Sequence, residues 1–288
     1  MGWLKYIIMP KNDGQRYYAV HYKFFARLMA AAGIRIEYAT MPRANRGFEV
    51  RTGGRRILVD FGDHHHTAPD AETFDACFRY HYSHDRHDAH RQTYPFTPVS
   101  FHDWTQFAAL KERIRYDARG EFILNAQRPG AAAKQRRAIV QAVLRREYGP
   151  MLDTAITDQA GFWRRIGRSL VAVCVPGARN DILDRGQLQL WAFGMCTISP
   201  RLDIVLPWWE EPEPGRHYVE CASDYSDLID QIEWCRANRN ICRAIGIEAK
   251  ALFDRACTPG RVRRWMEYCL SEEETNGEEI SRRTTGAA

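Results

Sequence analysis

An unbroken apolar run, Leu170-Val171-Ala172-Val173-Cys174-Val175, constrains this chain more than any other stretch. It is too short for most helices and rich in valine. That combination predicts a strand buried on both faces, the kind found inside parallel sheets. Pro176 and Gly177 stop it. Leu183, Leu188, Trp191 and Ala192 then fall on one side of a helix. Gly194 ends that helix, and Cys196-Thr197-Ile198-Ser199 reads as the next strand, closed by Pro200. Strand, polar loop, helix and strand make a βαβ unit of a parallel sheet. Ligands of such sheets sit at the carboxyl ends of the strands. Here those ends carry Pro176 to Asn180 and Ser199 to Asp203.

The chain's 288 residues are enough for two domains of ordinary size. No run of about 18 apolar residues occurs, so no membrane span is expected. The N-terminal apolar run is too short for a secretory signal, and a cytoplasmic location is expected. The formal charge of +5, carried mostly by arginine, suits an anionic ligand. It is also compatible with peripheral association at the inner face of a membrane, and too mild to argue for nucleic acid. Eight cysteines lie far apart without a C-x-x-C pair. They read as reduced core thiols, not as a disulfide frame or a zinc site.

The elements before the central run repeat the βα rhythm. Tyr6 to Met9 predicts a first strand. Tyr17, Val20, His21, Phe24, Phe25, Leu28, Met29 and Ala32 recur at helical spacing up to Gly33, and Ile34 to Ala39 alternates like a strand. Phe48–Arg51 and Arg56–Phe61 flank Gly53-Gly54 as a hairpin. Cys77–Tyr82 is another strand, and Tyr94–Val99 is extended. A junction is expected between Phe101 and Ala118, dividing the chain into a domain over 1–105 and a second over 106–270. In the second, Phe122–Asn125 predicts a strand, Ala131–Tyr148 a helix with Ile139, Val140, Val143 and Leu144 inward, and Thr154–Thr157 a weak strand. A short helix over Gln159–Ser169 precedes the central run. His217–Cys221 reads as the last strand, Asp224 as the N-cap of a helix to Arg236, and helices follow over Asn238–Arg255 and from Pro259 to Leu270. The tail over 271–288 has almost no apolar content and is expected to be disordered.

Several runs carry a resemblance. They are Val171 to Gly177, Asp184-Arg185 through Gly194 to Ile198-Ser199-Pro200, and Pro214-Gly215-Arg216-His217-Tyr218-Val219. Ser223-Asp224-Tyr225-Ser226-Asp227-Leu228, Ile232-Glu233-Trp234-Cys235 and Ile245 to Phe253 continue it. Over about Phe162 to Leu270 the chain resembles the capsule-associated, lipopolysaccharide-modifying family that includes the protein O-glucosyltransferases and O-xylosyltransferases. More loosely it resembles the exostosin-like transferases. Where that family carries Ser-x-Arg at the donor-site helix, this chain has Leu183-Asp184-Arg185. The resemblance implies an α/β protein of the GT-B class, with two Rossmann-like domains facing across a cleft. It also implies a nucleotide-sugar donor held mostly by the C-terminal domain, a glycan or glycolipid acceptor, and no metal or other cofactor.

A metal-free site must stabilise a nucleoside diphosphate leaving group with arginines or helix N-terminal amides. The candidates are Arg128, Arg179 and Arg185, with Lys134 behind them; Asp184 or Gln187 can hold ribose hydroxyls. Asp184 is equally readable as a solvated helix residue, and each arginine as surface charge. An inverting reaction needs a base, and Asp13, Asp63 and His64 each follow a predicted strand. Asp13 also reads as a turn-former beside Gly14. A rival reading rests on the histidines: His64-His65-His66, His81, and His84, His87 and His90 interleaved with Asp85 and Asp88. Their spacing admits a metal-dependent hydrolase, although no H-E-x-x-H is present. A third is a binding module that keeps sugar affinity without chemistry. Trp208-Trp209 can either stack on a sugar or nucleobase or pin their loop to the domain.

Overall fold

The structure, a computed structural model, describes residues 2–11, 19–42, 44, 46–62, 68–83, 92–127, 133–177 and 179–271. Two sheets form, one in each half of the chain. The first has strands β1 (Tyr6–Pro10), β2 (Arg35–Ala39), β3 (Gly47–Thr52), β4 (Arg55–Asp60), β5 (Ala76–Arg79) and β6 (Thr93–Pro95). Their spatial order is β2-β1-β3-β4-β5-β6. Helix α1 (Ala19–Ala31) joins the parallel pair β1 and β2, Gly33 adopting φ +75° where the chain turns back. The sheet is mixed because β3 and β4 form an antiparallel hairpin. Its turn needs positive φ at both central residues, and Gly53 and Gly54 supply 55° and 80°.

Helix α2 (Trp104–Lys111) lies between the sheets in sequence, capped by Asp103, whose carboxylate accepts from the Gln106 amide. The second sheet holds β7 (Phe122–Leu124), β8 (Leu152–Asp153), β9 (Ser169–Val173), β10 (Thr197–Pro200) and β11 (Val219–Cys221). All its pairings are parallel, in the order β11-β10-β9-β7-β8. Helices α3 (Lys134–Tyr148), α4 (Gln159–Arg164) and α5 (Arg185–Ala192) make the first three crossings. Helices α6 (Leu228–Ala237), α7 (Arg239–Ala256) and α8 (259–271) close the fold.

The central run is the middle strand of that sheet, and both its faces are covered. Ala172 and Cys174 face a core that continues into the first half of the chain. Val171, Val173 and Val175 face a separate core with Val140, Leu144 and Ile232. Helix α5 ends as its glycine predicts. Gly194 sits at φ +76°, and the amides of Gly194 and Met195 return to Trp191 and Leu190. Helix α7 crosses here so closely that a Cβ on Gly246 would overlap the Gly194 carbonyl.

Several local expectations are corrected. The strand expected at Thr154–Thr157 is β8, two residues long and earlier, because Asp153 is anchored by Arg165 and Arg168. On α3 the buried positions are Val140, Leu144 and Tyr148, an i, i+4, i+8 row, while Ile139 is exposed. Asp224 does not cap α6. Its carboxylate accepts from the Ser226 amide in a local turn that puts Tyr225 at φ 63°, and the helix begins at Leu228. Tyr225 thereby sends its hydroxyl into the core, to the Cys174 carbonyl at 3.3 Å.

Candidate functional site

In a parallel sheet of this order the chain leaves in opposite directions from β7 and β9, and a crevice opens past their carboxyl ends. A cavity of about 500 Å³ lies there. One wall is the second half of the chain: Ala126 and Gln127 after β7, Arg137 on α3, Asp184, Arg185 and Gly186 at the start of α5, and Gln159 on α4. Val20 and Phe24 of α1 form the other, with Ser100 and His102 from the segment between the sheets.

Arg185 is the first residue of α5 and is exposed to this cavity. It makes no hydrogen bond or ion pair with any described residue. Its charge reaches across to the first half of the chain, where it acts on Tyr80 and His102. Asp184 is the helix cap: one carboxylate oxygen accepts from the Gly186 amide at 2.8 Å, the other from Arg137 at 3.1 Å. Arg137 also donates to the Val175 carbonyl, and Arg136 to those of Pro176 and Gly177. Two α3 arginines thus hold the loop after β9 against the cavity floor. Gln127 completes that floor, accepting from the Val175 amide at 2.6 Å and donating to its carbonyl at 3.1 Å.

A second network sets the opposite wall. The Gln159 amide group accepts from the His102 backbone at 2.8 Å and donates to the Ser100 carbonyl and to Gln189, both at 2.9 Å. Gln189 in turn donates to the Ser100 hydroxyl and accepts from the Trp163 indole. The His102 ring faces Arg27, whose Nη1 stands 2.9 Å from Nδ1. A guanidinium can only donate, so Nδ1 is the acceptor and the ring proton sits on Nε2. Burial, then the charges of Arg27 and Arg185, hold the His102 pKa below its ordinary value. At neutral pH the ring is therefore an uncharged N–H donor. Among the described lining residues the cations Arg137, Arg165 and Arg185 outnumber the carboxylates Asp158 and Asp184, a surplus of one positive charge.

A larger cavity, of about 1030 Å³, opens past β10 and β11. Arg179 and Arg201 line it against Asp181, Asp203, Glu211, Glu213 and Glu220. The carboxylate excess makes it the poorer place for a diphosphate and suits the hydroxyl groups of a sugar.

The expected site residues that the structure describes take the following places. Arg185 and Asp184 line the smaller cavity, Asp184 as a cap with both carboxylate oxygens engaged. Arg179 is in the larger one, paired through Nε with Asp181 at 2.9 Å. Gln187 lines neither: it is fully buried and donates to Thr197 and Ser199. Lys134 starts α3 without lining either cavity. Asp13, Asp63, His64 and Arg128 lie outside the described residues, as do His65, His66, His84, Asp85, His87, Asp88 and His90. The tail from 272 onward does too. Arg137, Gln127, His102 and Gln189 were not singled out from sequence, because each acquires its place through partners far along the chain. Trp208 and Trp209 pin their loop. Trp208 packs on Trp265 and under Arg261, and Trp209 meets Tyr82 and Trp265 edge-on.

No family model matches the chain. Short stretches are similar to two viral proteins. One is 43% identical over 51 residues to "Uncharacterized protein 035R" of Invertebrate iridescent virus 3. The other is 34% identical over 58 residues to "Uncharacterized protein 179R" of Invertebrate iridescent virus 6. The matched stretches make up 18% and 20% of this chain and only 4% and 5% of those proteins. What stands at this level is a mixed α/β chain with one mixed and one parallel sheet, in which no described helix is long and apolar enough to cross a membrane.

Proposed function

We propose that this protein is a glycosyltransferase of the GT-B class, moving a sugar from a nucleotide-sugar to a glycan or glycolipid acceptor. The observation that carries the reading is Arg185. It is a cation with no partner among the described residues, at a helix N-terminus, at the point where the strand order reverses, in a cavity large enough for a nucleotide. Negative charge accumulates on the diphosphate as the bond from the sugar's anomeric carbon to phosphate breaks. Arg185 offers a planar fork of donors to that charge, and the His102 Nε2–H offers another. Gln127 and the arginine-held loop after β9 shape the floor. The new bond forms between the anomeric carbon and an acceptor hydroxyl, whose proton passes to a base. Asp13, Asp63 and His64 remain the candidates by their positions in the sequence. The resemblance over about Phe162 to Leu270 supports the same assignment.

The test is a melting-temperature screen against nucleoside diphosphates and nucleotide-sugars with EDTA present. A ligand at about 100 times its dissociation constant stabilises by roughly 2.7 kcal/mol. One nucleotide class is expected to raise the midpoint, and its sugar conjugate to support transfer to a glycan acceptor. A protein that melts at the same temperature with every nucleotide contradicts the proposal.

A further inference from the structure

Cys196, Cys235 and Cys242 are scattered in the sequence, yet their sulfur atoms all lie within 4.8 Å of one another. Cys196 precedes β10, Cys235 is in the last turn of α6, and Cys242 is in the first turn of α7. The bend at Asn238 between the two helices folds Cys235 and Cys242 together, with the Cys242 sulfur 3.7 Å from the Cys235 carbonyl. All three side chains are fully buried.

The spacing fits a metal. Metal–sulfur bonds of about 2.3 Å at trigonal or tetrahedral angles place sulfurs roughly 3.8–4.0 Å apart. No His, Asp or Glu among the described residues joins as a fourth ligand. The Tyr116 hydroxyl, the nearby alternative, is given to the Leu170 carbonyl at 2.5 Å.

We propose that Cys196, Cys235 and Cys242 form a buried three-sulfur site for one thiophilic d10 cation, copper(I) in preference to zinc(II). Soft thiolates select both ions. Structural zinc closes four positions, and only three ligands are offered here. On binding, each of the three cysteines releases its thiol proton to solvent as its metal–sulfur bond forms. No electron is transferred and no oxidant is needed. The site fastens the α6–α7 corner to β10. Because Gly246 of α7 abuts Gly194 at the end of α5, it also steadies the helix that presents Arg185.

The experiment is an anaerobic titration of the full-length reduced protein with copper(I) delivered from a coloured chelator, alongside zinc(II). The expected result is uptake of one copper(I) per chain, seen as bleaching of the chelator complex and as the added mass in native mass spectrometry. Uptake falls to none in Cys242→Ala and Cys196→Ala and persists in Cys77→Ala, whose thiol is in the first sheet. Circular dichroism melts show whether each variant is folded. The wild-type mass is decisive even if the trio variants unfold. No copper on the wild type, equal uptake by folded trio variants, or tighter retention of zinc than copper overturns the assignment. So does loss of two thiols to a disulfide with no metal bound.

Discussion

Arg185 differs from the paired arginines around it in having no described partner. Arg137 is matched to Asp184, Arg165 to Asp153 and Arg179 to Asp181. Its nearest consequence is electrostatic. His102 is held below its ordinary pKa by burial first, then by Arg27 and Arg185. Removing Arg185 takes away a charge that disfavours the imidazolium, so His102 in Arg185→Ala should titrate at higher pH than in wild type. An NMR titration of the ring protons reads this directly. A bound diphosphate should move the same resonance in the same direction, since an anion favours the charged ring. The sequence singled out Arg185 for the bidentate fit of its guanidinium to phosphate, and the structure has it as the first residue of α5. The glutamine beside it was misjudged. Gln187 and Gln189 are two residues apart on α5, about 200° around the helix, so one faces the core and the other the cavity wall. Which is which depends on Ser100 and Gln159, far away in sequence.

Elements reach their places through a few buried ion pairs as well as through apolar faces. Asp153 ends β8 and accepts from Arg165 and Arg168, each at 2.6 Å. Burial pushes its carboxyl up, but the hydrogen bonds from Arg168 and Arg165 outweigh it and hold the pKa below its ordinary value. The same balance holds Glu49 down between Arg56 and Arg51. Both contribute stability that is fully present above their unfolded pKa, about 4, and lost as pH falls through the folded values. Urea midpoints should therefore drop on acidification below about pH 4, and less steeply in Asp153→Asn. Asp153→Ala strands the nearly buried Arg165 and should cost about 3–5 kcal/mol in urea unfolding. A cost within about 0.5 kcal/mol of zero would make the pair incidental. Gly246→Ala should separate α5 from α7, destabilising by about 1–3 kcal/mol and weakening any ligand that needs Arg185. The strong periodic elements were readable: the valine run, the Gly53-Gly54 hairpin and the helix closed by Gly194. β8 was not, because two residues carry no period. The start of α6 was not, because an aspartate two residues before a serine serves a local turn as well as a cap.

At the scale of the whole molecule, α8 returns to the first half of the chain. Trp265 donates its indole proton to the Pro95 carbonyl at 2.8 Å. Arg263 reaches the carbonyls of Ala32 and Gly2, and Glu267 accepts from the Leu4 amide. One hydrophobic core runs from Leu4 and Phe25 through Phe101, Phe107 and Trp163 to Phe253 and Trp265. Two sheets that share a core should unfold together, so calorimetry should show a single transition. Trp265→Ala should lower stability by about 3–5 kcal/mol without splitting it. None of this return was readable from the sequence beyond the existence of a last helix, since it rests on contacts across most of the chain. The cavity follows from the same packing, because its two walls come from different sheets. The most direct test is calorimetric titration of the nucleoside diphosphate that most raises the melting temperature into wild type, Arg185→Ala and Arg243→Ala, the last an exposed arginine on α7. One site per chain is predicted for wild type and Arg243→Ala, with affinity reduced at least tenfold in folded Arg185→Ala, about 1.4 kcal/mol or more. Equal binding by all three proteins would contradict the placement of the donor phosphates at α5.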